Sequence, residues 1–156
     1  MDRSLRLFLR ALAVLWASPT TLVGVLALAV AVATGGRAAL VDGVLEAHGG
    51  WIRRILERFP VGRGGVAALT LGHVVLGASS AALAATRVHE RVHVAQCEGW
   101  GPLFLPAYAI ASLWARLRGG DAYRDNAFER EAFAAEARPD ADPARMAGSG
   151  DGPRSV

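Results

Sequence analysis

Val88-His89-Glu90-Arg91-Val92-His93-Val94-Ala95-Gln96, residues 88–96, is the stretch from which this chain is best read. On a helix, residues four apart share a face one turn apart, so the imidazoles of His89 and His93 reach one metal ion together. Glu90 follows about 100° further round the axis, beside an ion's open position, where its carboxylate can take a proton from water. The string His-Glu-x-x-His is therefore a zinc chelate with a general base built in. Around it, Val88, Val92 and Ala95 form an apolar stripe at helical spacing, while His89, His93, Gln96 and Trp100 run along the adjacent one, which places the motif on a polar face. Gln96 reads either as a residue orienting the free ring nitrogen of His93 or as a solvated helix residue.

Working outward, Ser79 or Ser80 is the expected N-cap of this helix, and Gly99 with Gly101-Pro102 stops it after about Glu98. Upstream, Val66 to Leu76 is an apolar, β-branched run bounded by glycines, which predicts one strand or a tight hairpin, with Gly72 at a bulge or a close backbone approach. His73 in that run reads either as lining a substrate cleft or as structural. Further upstream, residues 41–50 read as turn and short strand, and Trp51 to Phe59 as an amphipathic helix. Downstream, Leu103 to Leu117 is an apolar helix with Pro106 near its start. Its run of about thirteen uncharged residues is too short to span a bilayer, so it reads as a core helix or one lying in the interface.

Two histidines need a third protein ligand. A pattern with glycine and a third histidine at fixed steps past His93 is excluded, because Gln96 and Gly99 stand there. The remaining histidines, His48 and His73, both lie upstream, so a carboxylate on a second, downstream helix is the better candidate. Glu129 comes thirty-six residues after His93, room for an intervening helix and a return of the chain. Asn126 and Glu129 also match a capping box, in which the glutamate folds back to a backbone N–H. Glu131 and Glu136 are then the other candidate ligands.

The strings His89 to Gln96, Trp100-Gly101-Pro102-Leu103-Phe104 and Arg124-Asp125-Asn126-Ala127-Phe128-Glu129-Arg130-Glu131-Ala132 resemble compact gluzincin-like bacterial proteins, several of them membrane-anchored, over roughly residues 66 to 137. The resemblance implies a metal held by the two motif histidines and by the glutamate of a downstream Glu-x-x-Ala string, here Glu129, with Glu90 as general base and a strand ahead of the motif helix. Ala127 stands where such sequences favour proline. The activity implied is that of a peptidase.

Composition adds a location. Hydrophobic residues make up 53% of the chain, and no charged residue occurs between Ala11 and Gly36. That run predicts an N-terminal transmembrane helix, kinked at Pro19 or divided near Ala17 into an interfacial helix and an apolar one. Arginines flank both sides, leaving the orientation open, and Ala31-Val32-Ala33 also resembles a signal-peptide cleavage site. The net charge of +3 comes from scattered arginines, with no basic-aromatic stripe, so nucleic-acid binding is not indicated. One cysteine, Cys97, excludes an intrachain disulfide and reads as small apolar filler. The expectation is an α+β zincin-like domain over residues 37–137, behind a membrane anchor at 1–36 and ahead of a disordered tail at 138–156. It would hold one zinc on His89, His93 and Glu129 and cleave peptides. The competing expectation is a non-catalytic membrane-associated binding or scaffold protein with a structural or vestigial zinc site.

Overall fold

The structure, a computed structural model, describes residues 2–58 and 65–138; the tail from Pro139 onward lies outside the described residues. It is a mixed α and β fold around a four-stranded sheet. Strands β1 (Arg37–Val41) and β2 (Val44–His48) form one hairpin, and β3 (Ala68–Leu71) and β4 (Val74–Gly77) form a second. Both have two-residue loops. Asp42-Gly43 is left-handed at both positions (φ 49° and 80°), and Gly72 (φ 63°) opens the other loop, the conformations that match the twist of paired strands. The hairpins join through the parallel pairing of β2 with β4, giving the order β1-β2-β4-β3. A parallel pair requires a crossover, and α3 (Gly50–Arg58), the expected amphipathic helix, lies within it. Residues 66–76 thus form a hairpin rather than one strand, and β1 is a strand that the sequence reading passed over.

Alternation on the strands sorts the two faces. Val74 and Leu76 join Ala47, Ala31, Ile52 and Leu56 in a core shared with α2 (Ser18–Ala33) and α3. Val75 points the other way, with Val44 and Ala68, onto Leu83 and Val94 of α4 (Ser80–Trp100). Ser79 caps α4 as expected, its Oγ accepting from Ala82 N at 3.1 Å. After a short 3-10 turn (Gly101–Leu103) come α5 (Phe104–Leu117) and α6 (Ala127–Glu136). Pro106 sits in the first turn of α5, where its missing N–H is not needed.

One expectation is corrected and one alternative is decided. Of the two forms expected for the uncharged N-terminal run, the structure takes the divided one: α1 (Arg3–Trp16) and α2 meet at Ala17 and are bent by 67°. Pro19 is the reason, since its ring obstructs the carbonyl one turn back and it offers no N–H to a continuous helix. Among the described residues no single helix is long and apolar enough to cross a membrane. Instead α2 lies along the sheet. A Cβ on Gly24 would stand 2.6 Å from the carbonyl oxygen of Leu71 and 2.7 Å from Cβ of Val74. The Gly72 turn is clamped on α2 as well, His73 N donating to Oγ1 of Thr21 at 3.2 Å. The close approach expected at Gly72 exists, and the neighbour is α2.

On α4, Val88 and Val92 are only half-buried and Ala95 is exposed, whereas His89, Glu90, His93 and Gln96 are buried. The motif lies on a polar face, and that face is the covered one, because α5 and α6 fold over it.

Candidate metal centre

Three side chains converge beneath that cover. His89 and His93 come from α4, and Glu129 from the first turn of α6, each offering a ligand atom within 4.8 Å of the others. Nε2 of His93 lies 3.2 Å from Nε2 of His89; Oε2 of Glu129 lies 3.1 Å from the His89 nitrogen, and Oε1 lies 3.3 Å from the His93 nitrogen. A tetrahedral ion with bonds of about 2.0–2.1 Å holds its donors about 3.3–3.4 Å apart. The cluster therefore has the spacing of a coordination shell, and two nitrogens with a carboxylate suit a divalent transition ion. Glu129 does not fold back as a capping box. Asn126 caps α6 alone, its Oδ1 accepting from Phe128 N at 2.9 Å, while its Nδ2 donates to Ser112 Oγ and Tyr108 O of α5.

The outer atoms orient the inner ones. Nδ1 of His93 faces Oε1 of Gln96 at 2.8 Å, and Nε2 of Gln96 donates to Glu131 Oε2 at 2.8 Å and Phe128 O at 3.1 Å. Two acceptors on the amide nitrogen fix the amide, so its oxygen receives Nδ1–H and the lone pair of His93 Nε2 points into the cluster. Nδ1 of His89 faces Glu136 at 3.6 Å. The two alternative ligand candidates, Glu131 and Glu136, thus stand behind the cluster and not in it. Phe133 and Phe104 pack against the imidazoles.

Charge follows from this enclosure. Burial works to raise the Glu129 carboxyl, and the bonds to His89, His93 and Tyr108 outweigh it, holding it down at about 2. Burial works to lower His93, and Glu129 with Gln96 overcome it, leaving the imidazole above its ordinary value. Glu90 is pushed up from the usual carboxylate range, chiefly by burial. Its Oε2 accepts from Thr70 Oγ1 at 2.6 Å. Burial pushes the Cys97 thiol up to about 11, which keeps it an inert filler beside the motif.

No family model, curated protein or solved structure matches the chain.

His73 stands apart from the three donors in its bonding. Its ring spans Glu98 (3.0 Å) and Thr21 Oγ1 (3.3 Å), fastening the β3–β4 turn to α4 and α2. Two residues that sequence reasoning missed belong to the site. Thr70 is the one polar residue of β3, on the strand face turned to α4. Tyr108 of α5 donates to Glu129 Oε1 at 2.7 Å. Its signal was its spacing: Tyr108 and Ser112, polar residues in an apolar run, lie four apart and so share one face.

Proposed function

We propose that this protein is a zinc-dependent peptidase in which His89, His93 and Glu129 hold one zinc ion and Glu90 is the general base. The observation that carries this reading is the three-donor cluster at coordination spacing with the Glu90 carboxylate on the next position of the same helix. Zinc, when bound, supplies Lewis acidity toward water and toward the scissile carbonyl. Thr70 anchors Oε2 of Glu90, and Oε1 accepts a proton from the attacking water. Water oxygen bonds to the carbonyl carbon, the C–N bond breaks, and Glu90 passes its proton to the departing amine nitrogen. A carboxylate raised by burial is a better proton acceptor than one at its ordinary value. Gln96, braced by Glu131, keeps His93 in its ligating tautomer.

A peptide substrate is supported by the sheet. β3 lies at its edge, and Thr70 of β3 touches the base, so an extended peptide pairing along β3 would pass beside Glu90. The test is Glu90→Gln. We expect the variant to keep about one zinc per chain while peptide or casein cleavage falls by roughly 10²–10⁴. Wild type and Glu90→Gln cleaving at the same rate, or wild type not cleaving when loaded with zinc, would end the peptidase reading and leave a binding role.

A further inference from the structure

We infer that α1, the outer side of α2 and the outer side of α5 form one face that lies on an anionic phospholipid bilayer, so that the domain is held laterally against the membrane without a spanning helix. This stands independently of the peptidase reading. It starts from an inversion on α2. The fully buried residues of α2 are small, Thr20, Gly24 and Ala31, with Ala27 and Leu28 partly buried against the core beside them, while Leu22, Val23 and Leu26 are exposed, at 64%, 51% and 69%. A helix packing for water does the reverse; small residues inward and branched or long apolar ones outward is the pattern of helices whose surroundings are lipid.

α5 shares the outward half of the pattern: its inner side carries Phe104, Tyr108 and Ala115, and its outer side leaves Ile110, Leu113, Trp114 and Leu117 exposed at 57–72%. The two surfaces are continuous. Trp16, at the α1–α2 elbow, packs on the space a side chain at Gly101 would fill, and Thr20 donates to the Gly101 carbonyl at 3.5 Å, at the turn from which α5 departs. Among the described residues outside α1, α2 and the stretch from Trp100 to Leu117, large exposed apolar side chains are solitary: Leu40, Trp51, Leu69 and Phe133. Scattered ones are ordinary; a contiguous patch marks a partner.

Why lipid, and why laterally? No charged residue occurs from Ala11 to Gly36 or from Gly101 to Ala115. A protein partner would be met by a polar rim, not by two long uncharged stretches. The only charges in the α1 sequence, Arg3, Arg6 and Arg10, recur about one turn apart, and Arg118 sits 4.6 Å over the Trp114 ring, the composition of an interface with anionic headgroups. α2 is fastened to the domain at both ends, by Thr20 at Gly101 and by Thr34 Oγ1, which accepts from Trp51 N at 2.8 Å. These ties, with Gly24 seated on Leu71 and Val74, hold α2 against the domain. Its sixteen residues reach about 24 Å, short of the roughly 30 Å hydrocarbon core. Tyr108 on the inner side of α5 reaches Glu129, so the metal centre lies about one helix diameter, roughly 10 Å, beneath the lipid face.

The test places an environment-sensitive fluorophore on full-length protein through Ile110→Cys, Leu117→Cys or, as control, Ala95→Cys on the opposite side of the motif helix; native Cys97 is buried. With phosphatidylcholine vesicles containing phosphatidylglycerol, labels at 110 and 117 should shift to the blue and be quenched by brominated acyl chains, and the label at 95 should stay accessible to iodide. Leu113→Glu with Leu117→Glu should lower the vesicle partition coefficient about tenfold or more with unchanged circular dichroism. Labels at 110 and 117 quenched by iodide on bound vesicles would overturn the inference. Shielding of those labels without lipid, with dimers in sedimentation, would overturn it too by showing that a second copy covers the face.

Discussion

Helices α2 and α4 pack on opposite faces of one sheet and break the inside-outside rule in opposite directions. α4 buries His89, Glu90, His93 and Gln96, while α2 buries a glycine and exposes leucines. Both inversions are unfavourable in water: a buried polar group left unpaired costs about 1–3 kcal/mol, and an exposed Leu forgoes about 1.5–3 kcal/mol. On α4 the compensation is internal. Among the described residues, the one buried side-chain polar atom without a partner is Nη1 of Arg91, which lies toward the β1–β2 turn and away from the donor cluster. On α2 no internal compensation exists for the exposed leucines, so it has to come from outside the chain. A polar inversion with all its partners marks a site, and an apolar inversion without them marks a surface.

Acid should disturb the α4 side most. In metal-free protein the Glu129 carboxyl sits at about 2 instead of its ordinary 4.5. A depressed carboxyl stabilises the fold above its unfolded value, and that stabilisation fades as pH falls from about 4.5 toward 2. Neutralising one member of a buried pair costs roughly 3–5 kcal/mol. Denaturant midpoints measured against pH should therefore drop steeply over that window in wild type and stay flat in Glu129→Gln. His93 carries the opposite sign: its pKa is raised, so its contribution is complete below the ordinary 6.5 and declines as pH rises past it.

Next in size is Gln96→Ala, which removes the acceptor of His93 Nδ1. Competition with a chelating dye should show metal affinity about 10–100-fold weaker, with the fold retained. Were Gln96 merely solvated, affinity would not move.

Two glycines then separate the two sides by sign. Gly24→Ala gains roughly 1 kcal/mol of helix propensity, yet its Cβ strikes the backbone of Leu71, so thermal unfolding should show a net loss of about 1–3 kcal/mol. Gly99→Ala on α4 meets nothing within 4 Å and should stabilise by up to about 1 kcal/mol. Equal effects at the two positions would mean that α2 is not seated on the sheet as described.

Much of this was legible from local pattern. The Ser79 cap, a close backbone approach at Gly72, the motif helix and a carboxylate returning at Glu129 each depend on residues close in sequence, or on one long-range meeting that spacing allows. What escaped depends on what lies across the space between elements. β1 is an edge strand exposed along most of its length, with no buried alternation to betray it. Thr70 and Tyr108 become meaningful only because β3 and α5 flank the same helix. The cover over α4 escaped because hydrophobic periodicity reports the covered face only where the covered face is apolar, and here the polar atoms are paired under α5 and α6. The N-terminal run read as an anchor because composition reports affinity for lipid without saying that Gly24 and Thr21 dock the helix on the domain.

The central claim is that His89, His93 and Glu129 form one coordination shell. Metal content of the full chain, purified without chelator and supplied with zinc, tests it most directly. The account predicts about one zinc per chain in wild type and a near-complete loss in His93→Ala, with helix content by circular dichroism preserved. Wild type that takes up no zinc, or His93→Ala that retains it in full, would contradict it.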